Sequence, residues 1–319
     1  MSALSGRLAA GIIALAALFP LVAPNTYYLS VASLAMINAL AAVGLNLIAG
    51  YAGQLNLAHA GFMAIGAYAL AILTMDAGVP YWLAFLLSGA VAGVLGLAVG
   101  LVSLRLRGHF FAIFTLCVGT VLFLVIEKWD ALTRGVVGIM DIPRPPPLGP
   151  VRLDGDLAQY YLVTAVLAMG LFVMARITGS LIGRTYAAVR LGADLAEALG
   201  INLMRTKLAA FVVSTVYAGI AGALYAGYVR FLGPDLAHTS HTFDMITFIL
   251  VGGIGTLAGP LVGALVVSVV VQSLGFLQDM RMLVFGPLLI LLIIFYPHGL
   301  VGALENRAAR RRAAAAEPT

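Results

Sequence analysis

The residues best suited to metal binding or nucleophilic chemistry are scattered. His59, His109, His238, His241 and His298 spread over the whole chain. His238 and His241 lie three apart and could share a helix face, but no third ligand is near them in sequence. The single cysteine, Cys117, can form no intramolecular disulfide, and its apolar surroundings predict a small buried packing residue. Neither H-E-x-x-H nor G-x-S-x-G occurs. A phosphate-binding loop needs a lysine after glycine, yet Lys128 and Lys207, the two lysines, follow Glu127 and Thr206. The sequence therefore predicts no catalytic residues, no resident metal and no cofactor.

Uncharged polar groups inside apolar stretches are the other source of chemistry. Asn38 and Asn46 lie in one such stretch, and Gln54, Asn56 and His59 crowd the segment GYAGQLNLAHAGF. Thr115, Thr120, Ser214, Thr215, Ser268, Gln272 and Ser273 are further examples. Such groups either join helices by hydrogen bonds or face a polar pathway. Asn46, Gln54, Asn56, His59 and Thr115 are the candidates for a translocation path. No Asp, Glu, Lys or Arg falls at the centre of an apolar run, with Asp244 at a helix start as the nearest approach. Carriers driven by an ion gradient and voltage sensors place ionisable groups there, so neither class fits.

The elements that must position these groups follow from composition. The chain has 319 residues, 62% hydrophobic and 10% charged, with a mean hydropathy of +1.05. A soluble protein carries about 25% charged residues, so a soluble enzyme or a nucleic-acid binder is excluded. At about 20 residues per span, the apolar content allows about ten transmembrane helices. The runs are 8–23, 29–50, 56–75, 81–104, 109–126, 159–176, 208–228, 240–254, 256–277 and 281–297. The first resembles a signal peptide in length, but no small-x-small cleavage site follows and a retained helix is expected. The eighth is short and crowded with His238, His241 and Asp244, which suggests a broken or re-entrant segment.

Charge distribution orients these spans. With both termini cytoplasmic, the inner segments carry 12 basic and four acidic residues, and the outer ones six basic and nine acidic. Inside is +8 and outside −3, which agrees with the net +5 and with the excess of Lys and Arg on cytoplasmic loops. The expected fold class is thus all-α and polytopic, with a transmembrane domain over 1–304 and a basic, disordered cytoplasmic tail over 305–319. An external loop over 127–158 is stiffened by Pro145, Pro146 and Pro147. A cytoplasmic loop over 177–207 contains a candidate amphipathic helix at 184–199, with Tyr186, Val189, Leu195 and Leu199 apolar and Gly200 and Asn202 as stop residues. Glycines at 89 and 93, 96 and 100, and 255, 259 and 263 form small-residue ridges for close helix contact, within the chain or to a partner.

Five segments carry a resemblance. LNLIAGYAGQLNLAHAGFMAIGAYALAIL (45–73), LRLRGHFFAIFTL (104–116), the stretch 183–226, ILVGGIGTLAGPLVGA (249–264) and MLVFGPLLILLIIFYPHGLVG (282–302) resemble, in order, permease subunits of branched-chain amino acid ABC importers of the LivM type. The resemblance implies a helical fold like that of vitamin B12-type importers in a bacterial inner membrane. It implies a heterodimer with a homologous permease, two cytoplasmic ATP-binding subunits and a periplasmic substrate-binding protein. It marks 177–207 as the loop that couples to the ATPases, with Arg184, Arg190, Asp194, Glu197 and Gly200 as contact candidates. In this family acids often follow the A-x-R arginine directly, whereas here Leu191 and Gly192 follow Arg190 and the acids return at Asp194 and Glu197. Urea or short amides are an alternative cargo for the same machinery, and a carrier or channel acting alone is a more distant alternative.

Overall fold

The computed structural model describes residues 3–21, 25–106, 108–147, 153, 155–273, 299–305 and 307. It is overwhelmingly helical. Helix α1 is Ala3–Leu18, α2 Thr26–Asn46, α3 His59–Met75, α4 Tyr81–Ser103, α5 His109–Lys128 and α6 the single turn Asp130–Thr133. Then come α7 Asp156–Gly179, α8 Leu181–Leu191, α9 Ala193–Ala198, α10 Leu203–Val229, α11 Thr239–Gly252 and α12 Gly259–Ser273. Residues 299–305 are also helical.

Among the described residues five helices are long and apolar enough to cross a membrane: Thr26–Tyr51, Tyr81–Ser103, His109–Lys128, Asp156–Gly179 and Leu203–Val229. Ser5–Leu21, His59–Met75 and Gly259–Gln272 are apolar but shorter. A helix of 17 residues such as α3 is about 26 Å long at 1.5 Å per residue, just under the roughly 30 Å of a bilayer core. The expected third span from residue 56 begins only at His59, because an irregular segment, 52–58, feeds it. The expected eighth span is the 14-residue α11, about 21 Å long. The run 281–297 and most of the 305–319 tail lie outside the described residues.

Helix α10 organises the bundle and lies against α2, α3 and α4. It begins at Asn202, whose side chain accepts a hydrogen bond from the Arg205 amide, and its small residues set the spacing. A Cβ on Gly222 would overlap the Met63 carbonyl, and one on Gly66 would overlap the Gly219 backbone. Gly89, Gly93, Gly96 and Gly100 of α4 face Ile220, Val216, Thr215 and Leu208 of α10. That ridge joins helices within the chain. Gly259 and Gly263 do the same between α12 and the end of α11. Cys117 differs from expectation: it is exposed on the outer side of α5.

Strands β1 (Ile139–Met140) and β2 (Phe231–Leu232) pair antiparallel and join the loop after α6 to the segment after α10. Among the described residues four ion pairs, Lys128–Glu127, Arg134–Asp76, Arg144–Asp156 and Arg230–Asp141, link residues of segments expected outside. Exposed pairs of this kind contribute little stability.

The close packing on α10 yields a contrast. Gly222→Val forces backbone apart and is expected to remove folded protein, since overpacking costs about 1–3 kcal/mol even where side chains can yield. Gly6→Ala, with nothing within 4 Å of its Cβ, is expected to be neutral or stabilising. Size-exclusion profiles and melting curves of the detergent-solubilised variants check both; a normal profile for Gly222→Val would contradict the packing described.

Candidate functional site

Interruptions in the helices place the polar side chains. In lipid a backbone amide has no water to bond, so any break must be satisfied by the protein itself. The first break is 52–58, between a π-helical turn at Leu47–Tyr51 and the start of α3. A helix start leaves four amides without intrahelical partners. Here the Leu57 amide donates to Thr115 Oγ1 of α5 at 3.1 Å, the Ala58 amide to Asn56 Oδ1 at 3.0 Å, and the Ala60 amide to Thr242 Oγ1 of α11 at 3.0 Å. His59 Nε2 lies 2.9 Å from the Ala41 carbonyl of α2. That contact requires Nε2 to carry the proton, leaving Nδ1 as the acceptor.

Asn56, His59, Thr115 and Thr242 are all fully buried. Asn56 Nδ2 and His59 Nδ1 have no hydrogen-bond partner among the described residues. Three of the path candidates, Asn56, His59 and Thr115, therefore come together in one polar node where α2, α3, α5 and α11 meet. Gln54 stands apart: it is half-buried, and its amide reaches only the neighbouring Gly53 carbonyl at 3.2 Å.

Asn46 belongs to a second junction. Its Nδ2 donates to the Thr256 carbonyl at 2.8 Å, and its Oδ1 accepts from the Gly255 amide at 2.8 Å. Both ends of one side-chain amide thus hold the turn between α11 and α12, as a peptide group holds a neighbouring strand. Thr256 Oγ1 donates to the Gly253 carbonyl and accepts from the Gly259 amide, and the Ala258 amide donates to Ser5 Oγ of α1. Asn46 serves here as an internal clamp.

The loop expected to hold one amphipathic helix over 184–199 holds two. Gly192, with φ −169 and ψ 94, is extended and separates α8 from α9. Ser180 opens α8 by accepting from the Ile182 amide. Gly200, at φ +86, closes α9 in the left-handed region that favours glycine. The split also divides the apolar residues. Tyr186 and Val189 of α8 are buried against the bundle, and burial pushes the Tyr186 phenol above its usual range. Leu191, Leu195 and Leu199 are 88%, 68% and 75% exposed, so they form an outward apolar patch. Arg184, Asp194, Glu197 and Gly200 are exposed around it.

Arg190 points the other way. Its Nη1 donates to the Gly50 carbonyl at the end of α2, and its stem packs on Gly53, whose φ is +72. Gly255 lies beside the same guanidinium. Arg190 and Asn46 therefore meet the same turn from two sides. A cavity of about 380 Å³ opens beside them, lined by residues that include Tyr51, Arg184, Arg190, Leu257 and Glu305. Among the described residues no group of three or more His, Cys, Asp or Glu side chains could hold a metal ion.

Residues 27–293 match the family described as branched-chain amino acid transport system / permease component. The chain belongs to this family. The permease is 29% identical over 293 residues to the high-affinity branched-chain amino acid transport system permease protein LivM of Salmonella typhimurium and to that of Escherichia coli K12, covering 85% of this chain and 69% of each relative. It is 24% identical over 288 residues to LivH of Salmonella typhimurium, covering 84% of this chain and 92% of the relative. No solved structure matches it significantly.

Reasoning from sequence missed Thr242 and the 253–256 turn in this permease. A hydroxyl at a helix start was visible in HTSHTFD, but its partner is an amide 182 residues away. The Asn46 clamp yields a test. Removing the side chain leaves the Gly255 amide and the Thr256 carbonyl unpaired, at about 1–3 kcal/mol for each buried group. Asn46→Ala is expected to lower the melting temperature of the solubilised permease by several degrees, while Gln54→Ala leaves it unchanged. Equal melting of the two variants would contradict the assignment.

Proposed function

We propose that this permease is one half of the membrane path of an ATP-driven importer for branched-chain or other aliphatic amino acids. In this reading it crosses a bacterial inner membrane about ten times with both termini cytoplasmic, in a fold like that of B12-type importers. It pairs with a homologous permease, receives cargo from a periplasmic binding protein and is powered by two cytoplasmic ATPase subunits. Its relatives' names support the cargo, and similarity to both LivM and LivH supports a paired permease. Ser5 near one end and Glu305 near the other line the same cavity as Arg184 and Arg190, which supports placing both ends on the side of the coupling loop.

The observation that carries the reading is the outward patch of Leu191, Leu195 and Leu199, four residues apart, on the longest inner loop. Exposed apolar side chains at the end of α8 and along α9, with charged flanks, suit a groove on a partner subunit. Arg184, Asp194 and Glu197 supply the polar rim, and Gly200 fixes the angle at which α9 hands over to α10. ATP-driven closure moves the patch, and α8 passes the movement to α2 through Arg190 and Gly50. A ligand shifts such an equilibrium only through contacts that differ between its states, and this loop is where the nucleotide's effect enters.

The double change Leu195→Glu with Leu199→Glu adds two charges to the patch without touching the buried side of α8. Co-purification of the ATPase subunits is expected to fall about tenfold or more, with membrane insertion and gel-filtration behaviour retained. Changing Arg184, Glu197 and Gly200 together is expected to reduce transport and substrate-stimulated ATP hydrolysis. Full ATPase recovery and full transport in both would overturn the docking assignment.

A further inference from the structure

The cavity beside α8 borders the docking surface and shares Arg184 and Leu191 with it, but the rest of its lining has a chemistry that docking does not use. Of the residues on α8, Gly183, Arg184, Ala187, Arg190 and Leu191 line it, a face distinct from the buried side of Tyr186 and Val189. Two arginines therefore border one space of about 380 Å³, within the range of small-molecule sites. Arg190 uses one nitrogen on the Gly50 carbonyl, and a guanidinium has five donors in a planar fork. Arg184 forms no ion pair among the described residues. The Glu305 carboxylate lines the same space, and Ala187, Leu191 and Leu257 give it apolar wall.

We propose that this cavity is an inward-facing regulatory site for an aliphatic α-amino acid, the product of the transport reaction. The proposal rests on the functional reading above for its choice of ligand. The ligand carboxylate meets the Arg184 and Arg190 guanidiniums, which match its planar geometry. Its ammonium meets Glu305, and its side chain covers Ala187, Leu191 and Leu257. A single small anion would satisfy only the arginines; a zwitterion with an apolar side chain answers all three parts of the lining.

The consequence is mechanical. A ligand held between α8 on one side and Leu257 and Glu305 on the other ties the coupling loop to the bundle in the arrangement described. By linkage it stabilises that arrangement against any other the ATPase cycle requires. Accumulated product therefore slows the cycle from the side on which it is released.

Two measurements test this on the full complex in lipid nanodiscs. With the binding protein already saturated, further L-leucine is expected to reduce ATP hydrolysis about fivefold, each variant being compared with its own uninhibited rate. Isopentylamine and isovalerate, each lacking one charged group, are expected to leave hydrolysis unchanged. Glu305→Gln is expected to raise the half-inhibiting concentration about tenfold or more, and Ala187→Phe, which fills the cavity, to abolish inhibition. The second measurement is equilibrium binding of radiolabelled L-leucine to the complex without binding protein, where Glu305→Gln and Ala187→Phe should each remove one class of sites. Absence of inhibition, inhibition unaltered by both variants, or identical binding in all three proteins would overturn the site. Failure of the ATPase subunits to co-purify with the unaltered permease would overturn the functional reading instead, and the binding arm on the permease alone still decides the site.

Discussion

In a hydrocarbon medium every backbone amide and carbonyl must find its partner within the protein, and the architecture here follows from where that requirement is hardest to meet. Continuous helices meet it by themselves. The breaks at 52–58 and 253–258 do not, and each is closed by side chains from distant parts of the chain. Thr115 and Thr242 close the first, and Asn46 and Ser5 the second. Arg190 of α8 holds the Gly50 carbonyl beside the first break and lies against Gly255 of the second. Six buried polar side chains, Ser5, Asn46, Asn56, His59, Thr115 and Thr242, gather at these two junctions.

Close packing makes those junctions possible. Helix α10 brings α3 and α4 to backbone distance through Gly219, Gly222 and the α4 glycines. Without a hydrophobic drive between helices in lipid, association rests on such packing and on interhelical hydrogen bonds. A bundle this tight moves as bodies, not as a continuum. It gives Arg190 and Asn46 rigid elements to act between, so that displacement of α8 is felt at α2 and at the α11–α12 turn.

Much of this was legible in the sequence. Apolar runs located the long helices because a membrane span is a property of local composition. The polar node was readable as a crowd, since Asn56 and His59 are neighbours in sequence and Thr115 lies on a single apolar helix. Its fourth member, Thr242, was not, because local sequence does not say which distant amide a hydroxyl will cap. The partners of Asn46 were hidden for the same reason: a polar residue in a span looks alike whether it lines a path or clamps a turn. Helix in the 184–199 stretch was readable, but its break was not, because Gly192 reads as tolerable within an amphipathic pattern until its extended backbone is seen. The bond from Arg190, a docking candidate in the sequence, to the Gly50 carbonyl was not legible, because its partner lies 140 residues away.

The central claim is that this chain forms a path whose energy comes from another subunit. Uptake of radiolabelled L-leucine into proteoliposomes tests it directly. The permease is reconstituted alone or with its homologous permease, the ATPase pair and the binding protein, under an imposed proton or sodium gradient or with ATP supplied to the ATPase side. Uptake is expected only from the full set with ATP, and to persist when both ion gradients are collapsed. Gradient-driven accumulation by the permease alone would contradict the account.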